Sequence, residues 1–365
     1  MSKMISALPK DDQFRMPGEH EPQSEVWMAW PTRSDNWRYS GKLAQKAFVD
    51  VAVTIANSTP VVMLVNHEQF DNARTQLPEH IRVIEMSYND CWMRDIGATY
   101  VINDDGQRRG VSWQFNAWGG LVDGLYFPWD LDDAVASKML NITHDNGYQA
   151  PFVLEGGSVH TDGEGTLYTT EECLLHPSRN PDLSKEQIER HLSNYLGIKK
   201  VVWLPRGLYN DETNGHVDNI MHVVKPGEVA LTWCEDKDDP QYQISREALD
   251  ALSSQYDAQG RTIKVHKLPM PGPLFMDQEE ANGIDQSDGM EREAGERLAA
   301  SYANFLISNG QVIFPLLDEQ QDPEAKAVLE DAFPDYEVVG VQAREILLGG
   351  GNIHCITQQV PTSRW

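Results

Sequence analysis

The most constraining feature of this sequence is a unit that recurs along its length: a β-hairpin, a helix and a further strand. Two short apolar runs around a turn rich in Gly, Asp or Asn predict a hairpin, and four are predicted, at residues 99–113, 158–169, 217–233 and 302–316. Half-units at residues 25–30 and 352–358 open and close the series. Apolar residues three and four apart predict helices at 42–57, 185–196, 245–255 and 324–333, and further strands are predicted at 82–86, 199–204, 262–268 and 337–341. The recurrence predicts an α/β fold of repeated ββαβ units that form one closed set of similar blades.

The repeats continue without a Pro/Ser-rich linker, so we predict a single domain over residues 1–365. One polar and acidic segment, residues 270–295, interrupts the pattern. It is predicted to be a surface loop and is a candidate for a lid.

The net charge and the hydropathy of the chain limit the classes of partner that it can bind. A net charge of −26 and a pI near 4.7 repel nucleic acid and anionic membranes, whereas a cationic ligand is attracted. Acidity that serves only solubility fits equally well. Because no apolar run reaches the length of a signal peptide or a membrane span, we predict a cytoplasmic protein.

The chain has four cysteines, Cys91, Cys173, Cys234 and Cys355. They lie far apart and form no C-x-x-C pair, which is typical of neither a zinc site nor a disulfide scaffold. We therefore expect chemistry from one or two thiols at most, the others being small buried apolar residues.

Four polar and glycine-rich clusters occur where the single strand of one unit ends and the next hairpin or half-unit begins, at residues 89–97, 155–158, 210–219 and 349–355. In units arranged around an axis, equivalent positions face that axis, so these clusters are predicted to converge. Cys355 follows three glycines, which permit close backbone approach, and is the candidate nucleophile. His216 and Asp218 stand two apart on a predicted strand and so share a face, which makes His216 the candidate general acid and base. His354 is the rival base, ranked lower because neighbours on a strand face opposite ways.

The carboxylates Asp95, Glu155, Glu212 and Asp218 indicate the substrate. Carboxylates near a thiol raise its pKa and suppress the thiolate, so the site makes chemical sense when the substrate brings the positive charge. A guanidinium is planar, cationic and carries five N–H donors that two carboxylates can hold. Trp92 and Trp118 are candidates to stack on its plane.

The motifs N-D-C-W-M-R-D, L-E-G-G-S, N-G-H-V-D-N and G-G-G-N-I-H-C, in this order, resemble those of the agmatine deiminases, a branch of the guanidine-modifying enzymes. The likeness runs nearly end to end, from M-P-G-E at residues 16–19. Gly97-Ala98 departs from the more common Gly-Pro. The resemblance implies a five-bladed α/β propeller with pseudo-fivefold symmetry (the pentein fold) and no metal or organic cofactor.

The same resemblance implies roles for the candidate residues. Cys355 attacks the guanidinium carbon, Asp95 and Asp218 hold the guanidinium nitrogens, and His216, oriented by Glu155, protonates the departing ammonia and then activates water. Glu212 is the candidate partner of the substrate's distal amine. Asp90 and Gly350 are further candidates for substrate contact.

Three functions remain open at this stage. The first is hydrolysis of agmatine in polyamine synthesis, and the second is the same chemistry on peptidylarginine. The third is a non-catalytic protein that binds polyamines. The absence of a predicted secretion signal weighs against the second, and the intact Cys, His and Asp set weighs against the third. A homodimer or a higher homo-oligomer is expected from the resemblance.

Overall fold

A computed structural model describes residues 2–287, 289–290 and 292–363. These residues form an α/β fold with five separate sheets, each of three or four strands. The number of sheets matches the four hairpins and the two terminal half-units that the sequence predicts.

Sheets 3, 4 and 5 share one plan, in which the second strand of an antiparallel hairpin pairs in parallel with the strand that follows a helix. Sheet 3 contains His160–Thr161, Thr166–Thr170 and Lys200–Leu204. Sheet 4 contains Met221–Lys225, Glu228–Trp233 and Lys264–Pro269. Sheet 5 contains Leu306–Ser308, Gln311–Leu316 and Glu337–Gln342.

Sheets 1 and 2 extend this plan by one parallel strand. Sheet 2 contains Thr99–Ile102, Arg108–Gln114, Gly147–Val153 and Met4–Ile5. In sheet 1, Gln358–Pro361 pairs antiparallel with Gln23–Ala29, which is followed by the parallel strands Val61–Val65 and Arg82–Glu85. The last strand of the described chain therefore completes the sheet of the first unit, and this pairing holds the segment around Cys355 against that unit.

One main helix links the parallel strands of each sheet. For sheets 1 to 5 these are Lys42–Ala56, Val135–Thr143, Lys185–Leu196, Gln241–Ser253 and Asp322–Ala332. The third begins at a capping box between Ser184 and Gln187 and ends at Gly197 in the left-handed conformation, with φ 69°. The other helices are Phe70–Gln76, Gly120–Asp123, Asp130–Asp133, Glu171–Leu174, Gln278–Asn282 and Arg344–Leu347, with a 3₁₀ turn at His67–Gln69.

Three single helical turns directly precede hairpins and carry the polar clusters. They are Met93–Ile96, the 3₁₀ turn Gly156–Ser158 and Val217–Ile220. The 3₁₀ turn packs against each of the other two turns, so the polar clusters of these three units meet at one place, as the sequence predicts.

Three local predictions were wrong. His216 and Asp218 do not lie on a strand, because His216 is the N-cap of the turn Val217–Ile220 and the strand begins at Met221. Likewise, residues 352–357 are irregular and the last strand begins at Gln358. The helix predicted from 245 begins at Gln241, directly after Pro240.

The segment 270–295 is more than a surface loop. Met276, Ala281, Ile284 and Met290 are buried, and the first three pack with Leu347 and Leu348. The apolar core otherwise lies between the sheets and their helices, with Trp27, Trp30, Phe48 and Phe314 fully enclosed. Among the described residues, no helix combines the length and apolarity needed to cross a bilayer.

Candidate active site

The predicted site residues gather around Gly157. A Cβ atom placed on Gly157 would lie 2.7 Å from His216 Nδ1, 2.9 Å from Asp218 Oδ2 and 2.9 Å from Asp95 Oδ1. Only glycine leaves room for this approach. The structure therefore brings together a histidine and two carboxylates that stand far apart in the sequence.

Cys355 lies beside this group, at the end of the glycine run. Its side chain is buried, and its Sγ atom lies 3.7 Å from Asp218 Oδ2. A Cβ on Gly351 would come within 3.1 Å of the sulfur and 2.6 Å of the Trp92 ring. The glycine at 351 thus keeps open a small space next to the sulfur that any side chain would fill.

Asn304 is the residue at the nucleophile that sequence reasoning missed. Its Nδ2 donates to Cys355 Sγ at 3.1 Å, and its Oδ1 accepts from the backbone N–H groups of His354 and Cys355. The amide therefore fixes the turn and offers a donor to a thiolate. Asn304 lies just before the hairpin of sheet 5, and this is the one unit for which the sequence shows no polar cluster. Its position in the repeated unit is equivalent to that of the other clusters, and this equivalence could have identified it.

Burial, together with the charges of Asp218 and Asp95, raises the pKa of the Cys355 thiol well above its ordinary value, against the opposing hydrogen bonds from the Asn352 backbone and the Asn304 side chain. Without a cationic ligand the sulfur is therefore a protonated thiol. This state agrees with the sequence expectation that the substrate must bring the positive charge.

Asp95 is held on both oxygens. Oδ1 accepts from Gly157 N–H at 2.8 Å, and Oδ2 accepts from Trp118 Nε1 at 2.9 Å. Burial raises the pKa of Asp95 to about 6, although the nearby His216 opposes this. Trp118, expected to stack on the substrate, is therefore a hydrogen-bond donor that orients Asp95.

Asp218 is held on one oxygen only. Its Oδ2 accepts from His354 Nδ1 at 2.7 Å, whereas its buried Oδ1 has no hydrogen-bond partner in the described part of the chain. Burial opposes ionisation, but His354 and His216 lower the pKa of Asp218 below its ordinary value. An ionised carboxylate that lies beside the nucleophile and has one unpartnered oxygen is an acceptor prepared for an N–H donor.

His216 lies between two carboxylates. Its Nδ1 is 3.9 Å from Asp95 Oδ2, and its Nε2 is 3.9 Å from Glu155 Oε2. Burial disfavours the imidazolium, but Asp95, Cys173 and Glu155 raise the pKa of His216 well above its ordinary value. The ring is thus a charged acid at neutral pH. The contact with Cys173 was not predicted, since the sequence treats that thiol as buried filler.

Glu155 is held by Arg179, a second residue that sequence reasoning missed. Both side chains are fully buried, and Arg179 Nε lies 2.6 Å from Glu155 Oε1. Although burial opposes it, this pairing lowers the pKa of Glu155 to about 2. Arg179 also donates to the carbonyls of Thr213 and Trp118, so it joins the loop that carries His216 to the loop of Trp118, which donates to Asp95.

Glu212 is already paired. Arg292 donates from Nη1 to Glu212 Oε2 at 2.6 Å and from Nη2 to Oε1 at 2.8 Å, and also to Asn36 Oδ1 and Gly349 O. Gly350, with φ 104°, lies so close that a Cβ there would be 2.0 Å from Glu212 Oε1. Arg292 comes from the segment 270–295, which no periodic pattern connects to the site.

Asp90 and Trp92 form a supporting layer. Asp90 accepts hydrogen bonds from the side chains of Asn36, Trp37 and Trp92 and from the Cys91 backbone, at 2.8–3.0 Å. Its two oxygens are thereby filled, and the Trp92 ring packs on Trp37 at a centroid distance of 5.1 Å. Asp90 therefore orients Trp92, whose ring edge reaches the space beside Cys355.

The chain matches the model of the Porphyromonas-type peptidyl-arginine deiminase family over residues 15–361. A relative from Photobacterium profundum, named "Putative agmatine deiminase", is 65% identical over 361 residues that cover 99% of each chain. The solved agmatine deiminase of Enterococcus faecalis is 51% identical, with a TM-score of 0.97 over 99% of this chain and 100% of that one.

A cysteine-to-serine variant of C. jejuni agmatine deiminase, solved with substrate bound, is 26% identical, with a TM-score of 0.83 over 97% of this chain and 98% of that one. Identity and coverage of this extent leave no doubt about descent. The chain belongs to the Porphyromonas-type peptidyl-arginine deiminase family, and its relatives there include proteins named as agmatine deiminases.

Proposed function

We propose that this protein hydrolyses agmatine to N-carbamoylputrescine and ammonia. The observation that carries the proposal is a buried thiol, Cys355, beside a carboxylate with one unpartnered oxygen, Asp218, and a charged His216. A flat cation with several N–H donors pairs with the unpartnered carboxylate oxygen and lowers the pKa of the thiol, while His216 remains available as a proton donor. The relatives named as agmatine deiminases support the same substrate.

The first half of the reaction forms a covalent intermediate. Asp95 and Asp218 hold the guanidinium, whose charge lowers the pKa of the thiol, so that the Cys355 proton is released to solvent. The resulting thiolate attacks the central carbon. His216 gives its proton to the departing nitrogen, so ammonia leaves as the carbon–nitrogen bond breaks and an amidino-cysteine remains.

In the second half, water replaces the sulfur. The now neutral His216 takes a proton from water, and the hydroxide oxygen adds to the same carbon. The carbon–sulfur bond then breaks, and the remaining hydroxyl proton returns to the cysteine. The product is a ureido group. Glu155, anchored by Arg179, remains ionised throughout and keeps His216 cationic at the start of each cycle.

We further propose that the five sheets form a five-bladed propeller around this site. The common hairpin, helix and strand plan of the sheets supports it, as does the meeting of their inner ends at Gly157. A cytoplasmic location is supported by four free, buried cysteines, which are typical of a reducing compartment.

The exposed apolar side chains of Leu121, Val122 and Phe127 are candidates for contact between copies in a homo-oligomer.

Peptidylarginine is the second candidate, because the family is described by that activity. The buried position of the Cys355 group argues for a small substrate. The test incubates the protein with agmatine, free arginine and a blocked arginine peptide, and measures ammonia and ureido product. We expect turnover of agmatine alone. Comparable release from the peptide would establish the second candidate, and putrescine binding without any turnover would indicate a binding protein.

A further inference from the structure

A buried chain of charged groups continues from Asp218 away from the substrate space. His354 Nδ1 lies 2.7 Å from Asp218 Oδ2, and His354 Nε2 lies 2.9 Å from Glu19 Oε2. All three residues are at least nine-tenths buried. The deimination mechanism described above uses neither His354 nor Glu19.

We infer that His354 is a positioning residue, held as a doubly paired imidazolium between Asp218 and Glu19, that keeps Asp218 ionised and aimed at the substrate. This inference rests on the proposed function and deepens it. It also gives His354 a different role from that of a rival base, since neither ring nitrogen faces the nucleophile.

The protonation state follows from the hydrogen bonds. A neutral imidazole has one N–H group, whereas two carboxylates that each accept from a ring nitrogen require two. The ring therefore carries a positive charge. Glu19 is itself fixed, because its Oε1 accepts from Ile307 N–H at 2.7 Å and its Oε2 lies 3.8 Å from Arg94 Nη2.

The cluster is better explained by a proton than by a metal ion. Donor atoms of Glu19, His160, His222 and His354 lie within 4.8 Å of one another, and His160 Nε2 and His222 Nε2 have no hydrogen-bond partner within the described ranges. However, a ligating His354 would need a free lone pair, and both of its nitrogens are engaged by carboxylates. The guanidinium of Arg94 beside Glu19 also opposes a further cation.

The consequence for catalysis is electrostatic. The charged and titratable groups around His354 are Asp218, Glu19, Arg94, His160, His222 and Cys355. Of these, Asp218 is the one that also contacts the nucleophile. If His354 loses its charge, Asp218 becomes more basic and the neighbouring thiol holds its proton more firmly. The step that suffers is thiolate formation in the bound complex, so the effect should fall on kcat rather than on KM.

The main test replaces His354 by Gln, which keeps a donor for Asp218 but cannot be charged. Because the pKa of Asp218 and of the thiol then rise, we expect the acid limb of the kcat profile with agmatine to move to higher pH by about one unit. At pH values on the parent's acid limb, kcat falls about tenfold, while KM stays within about threefold of the parent. His160→Gln is the matched control, since His160 is equally buried in the same cluster but has no ionic contact with Asp218.

Glu19→Gln provides the second test, because Glu19 contacts His354 directly and His354 in turn contacts Asp218. We expect the same direction of change in kcat at neutral pH, and no additional loss when Glu19→Gln is combined with His354→Gln. An acid limb that stays in place in His354→Gln, an equal shift in His160→Gln, or additive losses in the double variant would each overturn the inference.

Direct titration separates this inference from the proposed function. The His354 ring signal in the NMR spectrum, assigned by its loss in His354→Gln, should remain that of an imidazolium past pH 7 in the parent. In Glu19→Gln it should titrate at least about one pH unit lower. This readout needs no turnover, so it stands even if agmatine is not the substrate. One zinc per chain in the purified protein, lost in Glu19→Gln, would overturn the inference in favour of a metal site.

Discussion

The two ends of the candidate site differ in how much charge they leave for a ligand. Around Cys355, Asp218 keeps one oxygen without a partner in the described part of the chain. At the other end, Arg292 occupies Glu212 through two hydrogen bonds, and Asp90 is filled by four donors. The negative charge available to a substrate is therefore concentrated at the nucleophile. Glu212, the proposed partner of a distal amine, is thus a carboxylate that the protein has already paired.

This contrast suggests that the two ends of the site contribute differently to catalysis and to substrate binding. Under the proposed function, the guanidinium end supplies the chemistry and most of the attraction, because its two carboxylates are buried and Asp218 has one oxygen without a partner among the described residues. The tail end supplies shape and a weaker preference for charge. Substitutions at the two ends should consequently differ in size and in which kinetic constant they change.

The largest effect is expected from Cys355→Ser. Removing the nucleophile should lower kcat on the order of 10⁵-fold or more, whereas agmatine should still bind, because the carboxylates remain. Turnover and calorimetric binding are measured on the same preparation. A bound substrate in the cysteine-to-serine variant of the C. jejuni relative supports this expectation. Retained turnover would show that the nucleophile is misassigned.

The second largest loss of activity is expected from Asp218→Asn, which tests the guanidinium end of the site. The amide keeps the shape but removes the charge beside the thiol, so we expect kcat to fall about 10²–10³-fold. Agmatine and butylguanidine, which lacks the distal amine, should lose activity equally. A loss confined to agmatine would place Asp218 at the tail and reverse the comparison of the two ends.

Glu212→Gln tests the tail end. Because Arg292 already shares the carboxylate, we expect only about a tenfold decrease in kcat/KM for agmatine. Butylguanidine, without the amine, should be affected little. The melting temperature is measured in parallel, since the substitution weakens the pairing of the buried Arg292. Equal losses on both substrates would mean that Glu212 acts only by holding Arg292.

The residues around Cys355 and the residues that pair with them also differ in how well the sequence predicts them. Asp95, Glu155, His216, Asp218 and Cys355 were expected to converge because they occupy equivalent positions in repeated units, and the structure brings them together at Gly157. The argument from the strand for His216 and Asp218 was nevertheless wrong, since a helical turn carries both. The position of each residue in the repeated unit, rather than the alternation of side chains along a strand, therefore predicted that these residues meet.

The partners of these residues were not predictable in the same way. Arg179 pairs with Glu155, and Arg292 pairs with Glu212, through contacts that exist only in the folded chain. Arg292 also lies in a segment without apolar periodicity, so no sequence pattern indicates its position. Asn304 is an intermediate case, because its place before a hairpin is equivalent to that of the other clusters. Pattern thus predicts where groups meet, while tertiary packing decides which charges are already satisfied.

The smallest effect is expected from Cys91→Ala, which compares two buried thiols. Burial is the largest cause that raises the pKa of both Cys91 and Cys355, so that property does not distinguish them. Cys355 differs because Asn304 donates to its sulfur and an oxygen of Asp218 without a partner among the described residues lies in its neighbourhood. Cys91 instead lies beside Asp90, whose oxygens are filled. We therefore expect Cys91→Ala to keep agmatine turnover within about twofold and to cost about 1 kcal/mol of unfolding free energy for the lost packing. Steady-state kinetics and urea unfolding check both numbers. A large loss of turnover with unchanged stability would show that the unpartnered oxygen is not what makes a buried thiol reactive in this fold.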